Sequence, residues 1–302
     1  ATSAETIIDL SYGNLIYYKG DADTTVGFAS TSAAEQLTFI RDTDSAYSIS
    51  YSTGGVEFDG NSDYLSLESN SDLAFGTGDF TIEFWVKMTT DQYTIFFDMR
   101  PNPEASQGLY PTIYQNGGTS LRYYTNSADR ITGDDMSAGQ WYHVAVSRSG
   151  TSTRMFLNGT QQGSTYSDSN DYLNGDTTIG CRADGSTGDL DGYMSNVRVV
   201  KGTALYTSNF VPPSAALTNV TNTKLLCCQS DSSATTAAVT PGTITAAGDA
   251  TAGAQTISLS GSLNATITWP DRVKWNNDTT PTLVTNTDNY TKARQIFRFT
   301  TV

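Results

Sequence analysis

Apolar and polar residues alternate along several short stretches in the middle of the chain. Within residues 81–87, the side chains of Ile82, Phe84 and Val86 fall on one face, and residues 141–147 repeat the alternation. A period of two residues is typical of a β-strand, because successive side chains point to opposite faces of a sheet. The pattern therefore predicts strands at both places.

Further strands and turns complete this central region. The apolar run 155–157 leads directly into Asn158-Gly159, a residue pair that tolerates the positive φ angles of a tight hairpin. Residues 192–200 alternate again. Short strands separated by turn residues at this spacing favour an all-β protein built as a sandwich of two sheets.

The two ends of the chain differ from the middle. Residues 1–53 hold short apolar clusters between polar turns, and we interpret them as an arm of strands and extended chain. Residues 229–256 are rich in Ala, Thr, Gly and Ser, so they are expected to be a linker or a thin strand lying against another segment. The predicted organisation is an arm at 1–53, a sandwich at 54–228, and a linker with a small β module at 229–302.

Composition and charge narrow the possible partners. The 302 residues include 31 acidic and 17 basic side chains, which gives a net charge of −14. Nucleic acids and anionic membranes attract basic surfaces, so we expect the chain to bind neither. No apolar run approaches the roughly 20 residues of a membrane span, so we also expect no membrane insertion. The first residues lack the basic and apolar segments of a signal peptide. We therefore expect a mature chain or one delivered by assembly.

Three cysteines, Cys181, Cys227 and Cys228, give an odd count that does not predict a disulfide framework. Adjacent cysteines rarely bridge each other, because the ring that would close is strained. The only histidine, His143, is distant in sequence and lies within an apolar strand pattern. We expect all three cysteines to be small buried side chains and His143 to be packed rather than catalytic.

Five sequence blocks occur in an order that resembles the concanavalin A-like and laminin G-like domains. They are residues 56–65, 75–86, 139–146, 156–159, and 178–180 with 190–198. The resemblance implies an antiparallel jelly-roll β-sandwich that binds rather than catalyses. Trp85 and Trp141 are expected to anchor the two facing sheets, because large aromatic side chains dominate such cores.

Some relatives of this kind are glucan hydrolases, which need paired carboxylates on one strand face, arranged as Glu-x-Asp-x-x-Glu. The chain has six glutamates, all before residue 105, and Glu57-Phe58-Asp59 is the nearest approach to that arrangement. We therefore predict that the protein is not an enzyme. A glucan hydrolase remains a disfavoured alternative.

A second resemblance concerns the end of the sandwich and the C-terminus. Residues 200–213 and 223–230 resemble the ends of such domains in structural proteins of marine tailed bacteriophages. Residues 267–275, 281–283 and 296–299 are similar to a short module of phage fibre proteins. These resemblances imply a homo-oligomeric virion protein on the particle surface, in a tail fibre or as a capsid decoration or fibre protein, in contact with other virion proteins. A secreted carbohydrate-binding lectin module is the alternative.

Two candidate sites follow from the first resemblance. Laminin G-like domains often hold Ca²⁺, and the candidate ligands are Asp59, Asp63, Asp79, Asp189 and Asp191; the alternative is that these aspartates only form turns. Host-surface glycans would contact a dense group of aromatic residues, Tyr110, Tyr114, Tyr123 and Tyr124. The alternative for these tyrosines is packing within a sheet.

Overall fold

The computed structural model describes residues 46–101, 109–117, 120–173, 175–185 and 187–262, together with five strands nearer the termini. Side-chain positions are described only within residues 47–261. The chain divides into two compact units, Tyr47–Gly261 and a unit formed by Ala1–Ala46 with Ser262–Val302. Within the described residues there is no α-helix, and a single 3-10 turn spans Ser71–Leu73.

The strands are numbered in chain order. Strands β1 to β7 are Thr6–Ile8, Ile16–Tyr18, Val26–Phe28, Gln36–Asp42, Ala46–Asp59, Tyr64–Leu67 and Phe80–Met88. Strands β8 to β14 are Thr94–Asp98, Thr112–Gln115, Ser120–Thr125, Ala128–Asp135, Trp141–Ser149, Ser152–Leu157 and Thr160–Ser167. Strands β15 to β21 are Thr177–Ile179, Asp191–Lys201, Thr223–Cys227, Ala237–Val239, Ile244–Ala247, Thr251–Ser262 and Arg294–Thr300.

The smaller unit joins the two ends of the chain. Strand β1 pairs with β3 and β2 pairs with β4, both in parallel. Strand β21 adds to β4 in the antiparallel direction. The predicted N-terminal arm therefore contains strands. Residues 267–275 and 281–283 of the predicted fibre module lie outside the described residues.

The larger unit is an all-β sandwich of two antiparallel sheets, as predicted. One sheet has seven strands in the order β11-β10-β9-β8-β15-β6-β19. The other has nine, with β14-β13-β12-β7-β16-β17-β18 in sequence and β5 and β20 joined to them through β16. The hairpin predicted at Asn158-Gly159 connects β13 to β14, and both residues have positive φ, 51° and 77°.

The main core lies between the two sheets. Ile82, Phe84 and Val86 of β7 are fully buried there, which confirms the alternation in the sequence. Phe84 of the nine-stranded sheet meets Phe96 of the seven-stranded sheet, with ring centroids 5.9 Å apart. Burial of this many large apolar side chains is the main force that holds such a sandwich together.

The expected role of the two tryptophans is wrong. Trp85 and Trp141 lie on adjacent strands of the same sheet, where β7 pairs with β12. Both side chains point away from the main core and pack in a second cluster with Ile49 of β5 and Ile257 of β20. The alternation explains this placement, because Trp85 lies between Phe84 and Val86 and must face the opposite side.

The compact sandwich unit is longer at both ends than the predicted 54–228 domain. Strand β5 begins at Ala46, before the predicted boundary. Beyond residue 228, β18 pairs with β17 in one sheet, and β19 pairs with β6 in the other. Residues 229–261 thus form strands that join both sheets, and Ile244 and Ile257 are their buried side chains.

Candidate functional site

The outer face of the seven-stranded sheet carries an aromatic surface. Tyr114 on β9 and Tyr124 on β10 point outward, whereas Leu121 and Tyr123 of β10 are fully buried in the core. Tyr114 is the cross-strand partner of Arg122, so Tyr124 is its diagonal neighbour on the same face. Strand alternation therefore brings together two of the four predicted tyrosines.

A third tyrosine joins this surface from a loop. Tyr93 immediately precedes β8, and its ring centroid lies 5.6 Å from that of Tyr114. With 41% of its surface exposed, Tyr93 is one of the most exposed large aromatic residues among the described residues. We call Tyr93, Tyr114 and Tyr124 the tyrosine platform. The sequence analysis missed Tyr93 because a lone tyrosine in a polar loop gives no periodic signal.

Charged groups fix the platform in place. The Tyr114 hydroxyl donates to Asp129 Oδ1 at 2.8 Å, and Arg122 lies 3.7 Å from the same carboxylate. Arg100 lies over the Tyr124 ring at 5.9 Å and is held by a bidentate contact with the buried Asp98. Planar rings flanked by guanidinium and carboxylate groups can pack against a sugar ring and hydrogen-bond its hydroxyls.

Two of the platform tyrosines, Tyr93 and Tyr114, stay protonated at ordinary pH. Burial raises the pKa of Tyr114, and the hydrogen bond and charge of Asp129 raise it further. Burial likewise raises the pKa of Tyr93. Both hydroxyls therefore remain neutral. The Tyr114 hydrogen is donated to Asp129, so the Tyr114 oxygen can accept from a hydroxyl-rich ligand.

The prediction of a glycan contact does not hold for Tyr123. Its side chain is 0% exposed, and its hydroxyl lies 2.7 Å from that of Tyr172, which donates to the Asp168 carboxylate. Tyr123 is therefore a buried polar anchor of the core. Tyr110 is half-buried and packs against the same core.

The structure brings together only part of the predicted calcium set. Asp59 and Asp63 form a group with Asp249, in which one carboxylate oxygen of each residue lies within 4.8 Å of the others. Asp249 was not predicted because it falls in the segment interpreted as a linker. Carboxylate oxygens are ligands that Ca²⁺ prefers, but Ca²⁺ takes six to eight oxygens. These three residues would supply part of such a shell.

Asp63 already has a structural role in this group. It is 1% exposed, and its two oxygens accept from the backbone amides of Asp59 at 3.1 Å and Asp249 at 2.7 Å. Burial raises the pKa of Asp63, while these amide hydrogen bonds oppose the rise. Each oxygen has a second lone pair, so the carboxylate can hold the turn and still face a cation.

The other predicted aspartates lie elsewhere or have other contacts. Asp79 Oδ1 accepts from the Gly150 amide at 2.7 Å. Asp191 is the cross-strand partner of Asp59 but does not belong to the acidic group. The backbone carbonyl of Asp189 accepts from the Gln92 amide group at 3.2 Å.

A buried ionic cluster occupies the other face of β7. Glu83 is 0% exposed; its Oε1 accepts from Arg198 at 2.6 and 2.8 Å, and its Oε2 lies 3.2 Å from His143 Nε2. Tyr206 also donates to Oε2, at 2.8 Å. Burial alone would raise the pKa of Glu83, but His143, Arg198 and Tyr206 together lower it below its ordinary value. Because His143 is 0% exposed, it is packed as predicted, and the Glu83 carboxylate has no open path to a substrate.

Comparison with known proteins identifies the fold. Residues 59–205 match a laminin G family model described as the concanavalin A-like lectin/glucanases superfamily. No protein among the curated proteins matches the chain. The described residues contain no helix with the length and hydropathy of a transmembrane segment.

Solved structures that are similar to this chain come from several organisms. A candidate carbohydrate-binding protein from Bacteroides ovatus is 14% identical, with 73% of this chain and 63% of that chain covered and a TM-score of 0.50. A heptameric SAP-like pentraxin from Limulus polyphemus is 18% identical over 51% of this chain and 78% of its own, with a TM-score of 0.40. Domains LG4-5 of the mouse laminin alpha1 chain are 14% identical over 52% and 45%, with a TM-score of 0.37. At these identities a likeness shows the fold alone.

Proposed function

We propose that this chain, whose residues 59–205 form a concanavalin A/laminin G-like lectin domain, is a non-enzymatic protein that binds carbohydrate on its tyrosine platform. The observation that carries the proposal is the contact between the exposed Tyr93 and the partly buried Tyr114, with ring centroids 5.6 Å apart. The name of the Bacteroides ovatus protein, a candidate carbohydrate binder with the same fold, also supports it.

The platform has the parts that a sugar-binding surface needs. Aromatic rings offer apolar area at a small entropic cost, and the tyrosine hydroxyls add polar contacts at the rim. Asp129 and Arg122 lie beside the rings and can accept from and donate to vicinal hydroxyl groups. Because Arg100 is held by Asp98, the Tyr124 side of the surface is organised before any ligand arrives.

A glycan array with matched variants tests this proposal. We expect Tyr93→Ala and Tyr114→Ala each to lower the signal on bound glycans by about two- to tenfold, since stacking on an aromatic ring is worth on the order of 0.5–1.5 kcal/mol. Tyr193→Ala is the control, because Tyr193 is a partly exposed tyrosine on the other sheet. An unchanged array pattern for both platform variants would place binding elsewhere or exclude it.

Calcium binding is tested by thermal unfolding. If Asp59, Asp63 and Asp249 hold Ca²⁺, adding the ion should raise the unfolding temperature and EDTA should remove the increase. Asp249→Asn should abolish this difference. Asp79→Asn, at an aspartate outside the group, should leave it unchanged.

The biological setting that we propose is a virion. The resemblance of residues 200–213 and 223–230 to structural proteins of tailed bacteriophages supports a tail fibre or a capsid decoration or fibre protein. In that setting the lectin domain would face host-surface glycans, and other segments of the chain would contact copies of the chain and other virion proteins. Mass spectrometry of purified particles should find the chain in fixed stoichiometry. A secreted lectin module would instead be found free in the medium.

The absence of catalysis is also part of the proposal. The buried Glu83 has both of its oxygens engaged by Arg198, His143 and Tyr206, so it cannot serve as an acid or nucleophile on a polysaccharide. Incubation with laminarin should release no shorter sugars. Detection of such products would overturn this part of the proposal.

A further inference from the structure

Two adjacent thiols meet in the core at the end of β17. Cys227 is the last residue of β17 and Cys228 follows it; their exposed fractions are 0% and 1%, and both belong to the main hydrophobic cluster. Successive side chains of an extended strand point to opposite faces. Here both sulfur atoms point into the same core and lie 3.7 Å apart.

The backbone at Cys228 explains this arrangement. Its φ angle is +57°, in the left-handed region that most side chains avoid. The other non-glycine residues with positive φ among the described residues are all Asn or Ser, at Ser62, Asn126, Ser127, Asn158, Asn196 and Asn222. Short polar side chains of this kind can hydrogen-bond the local backbone. Cys228 carries a thiol where the other six residues carry an amide or a hydroxyl group. Hydrogen bonding to the local backbone therefore does not account for a cysteine at this position.

Neighbouring segments hold this turn in place. The Cys228 carbonyl accepts from the Asn196 amide at 3.1 Å. The next side chain, Gln229, donates to Asn196 Oδ1 at 2.6 Å and to the Leu217 carbonyl at 2.7 Å. The two sulfur atoms are therefore kept side by side by contacts from β16 and from the loop before β17.

We propose that Cys227 and Cys228 are a site of reversible oxidation that forms a disulfide between the adjacent residues. A disulfide bond is about 2.05 Å long, so the sulfur atoms must approach by less than about 2 Å. Rotation about the side-chain bonds can supply most of this movement, since both Cβ atoms already direct the thiols to the same side. The left-handed turn thus places both thiols on one side, although the ring that closes remains strained.

The oxidant is a small disulfide such as oxidised glutathione. One cysteine sulfur, as a thiolate, attacks a sulfur atom of oxidised glutathione. The S–S bond of the glutathione breaks, one glutathione leaves as a thiol, and the other stays bound to the cysteine as a mixed disulfide. The second cysteine sulfur then attacks the protein-side sulfur of the mixed disulfide, and the second glutathione leaves. The two cysteines lose two electrons and two protons, which the two glutathione thiols gain.

Burial sets when this reaction can occur. Contact with Cys228 and burial raise the pKa of Cys227, which keeps this thiol protonated and slow to react inside the fold. Exchange therefore needs transient opening of β17 or takes place before the strand packs. Because the Cα atoms of adjacent residues are closer than most disulfides prefer, the bond should be strained and easily reduced.

Counting thiols in the full chain tests the proposal. The chain is refolded from urea with or without oxidised glutathione, denatured again and labelled with N-ethylmaleimide. We expect the number of labels to fall from three to one, with the remaining label on Cys181. The tryptic peptide that begins at Leu225 should carry no label and should be lighter by two hydrogen atoms than the same peptide in its reduced, unlabelled form. Mild reduction before labelling should restore three labels.

Cys228→Ser is the matched control, because serine is found at positive φ twice elsewhere in this structure. This variant should keep two labels, on Cys181 and Cys227, whether or not oxidised glutathione is present during refolding. The readout uses denatured chains, so it remains valid even if the variant folds poorly. Three labels after oxidation of the natural chain would overturn the proposal. Glutathione adducts or crosslinked chains that persist at Cys227 or Cys228 as the final products, in place of the bond between these two residues, would overturn it as well.

Discussion

Glu83 places a full charge in the middle of a strand whose neighbouring side chains are apolar. Its carboxylate is matched by Arg198, His143 and Tyr206, so no part of it needs water. Replacing Glu83 with Gln would leave the Arg198 guanidinium, which is 7% exposed, without its counter-charge. We expect Glu83→Gln to lower the free energy of unfolding by about 3–5 kcal/mol, measured by urea titration. Glu57→Gln, at an exposed contact with Tyr193, should change it by less than about 1 kcal/mol.

The lowered pKa of Glu83 gives this contribution a pH dependence. Stability from a carboxylate with a lowered pKa is complete above the pKa of an unfolded glutamate, about 4.3. It is lost as pH falls through the lower value of the folded state. The difference in unfolding free energy between the natural chain and Glu83→Gln should therefore narrow below about pH 4. A difference that stays constant down to pH 3 would contradict the assigned role.

Single residues also show where sequence reasoning stops. Tyr123 and Tyr124 are adjacent in a strand, so the sequence alone establishes that they face opposite sides. Which of the two faces the core depends on pairing with β9 and β11, which local patterns do not encode. Tyr93 gave no signal at all, because its contact with Tyr114 depends on the pairing of β8 with β9.

At the scale of elements, β20 shows how a segment of small residues becomes part of the sandwich. Ile257 is 0% exposed and packs on Trp85 and Trp141, while the neighbouring Ser258 is exposed. Ile257→Ala should lower the free energy of unfolding by about 2–5 kcal/mol, because it leaves a cavity beside two large rings. Ser258→Ala should have an effect below about 0.5 kcal/mol. Equal effects in chemical denaturation would mean that β20 does not cover the sheet.

The strands that were predicted best are those with their own periodicity. Strands β7, β12 and β16 alternate clearly, and their pairing forms the centre of the nine-stranded sheet. Strands β18 and β19 could not be predicted, because Ala- and Thr-rich sequences acquire their structure from long-range partners. The approach of Asp249 to Asp59 and Asp63 could not be predicted either, because it also depends on residues that are distant in sequence.

At the scale of the whole molecule, the negative net charge disfavours binding to nucleic acid. Because its net charge is −14, the chain should not displace the cations that surround the phosphate groups of DNA. A labelled DNA duplex should keep its mobility in a gel shift at about 50 mM salt, where electrostatic binding is strong. A retarded band that disappears with added salt would reveal a basic surface that the overall charge conceals.

The sandwich unit starts and finishes on neighbouring strands. A Cβ at Gly261 would lie 2.6 Å from Tyr47 Oη, and one at Gly55 would lie 2.7 Å from the Gln255 side chain, so β5 and β20 run in opposite directions. The chain thus enters and leaves this domain at one place, which is the condition under which a whole domain can be inserted into a host protein. A recombination event between the two flanks could exchange this domain for a different one while the ends of the chain stay the same.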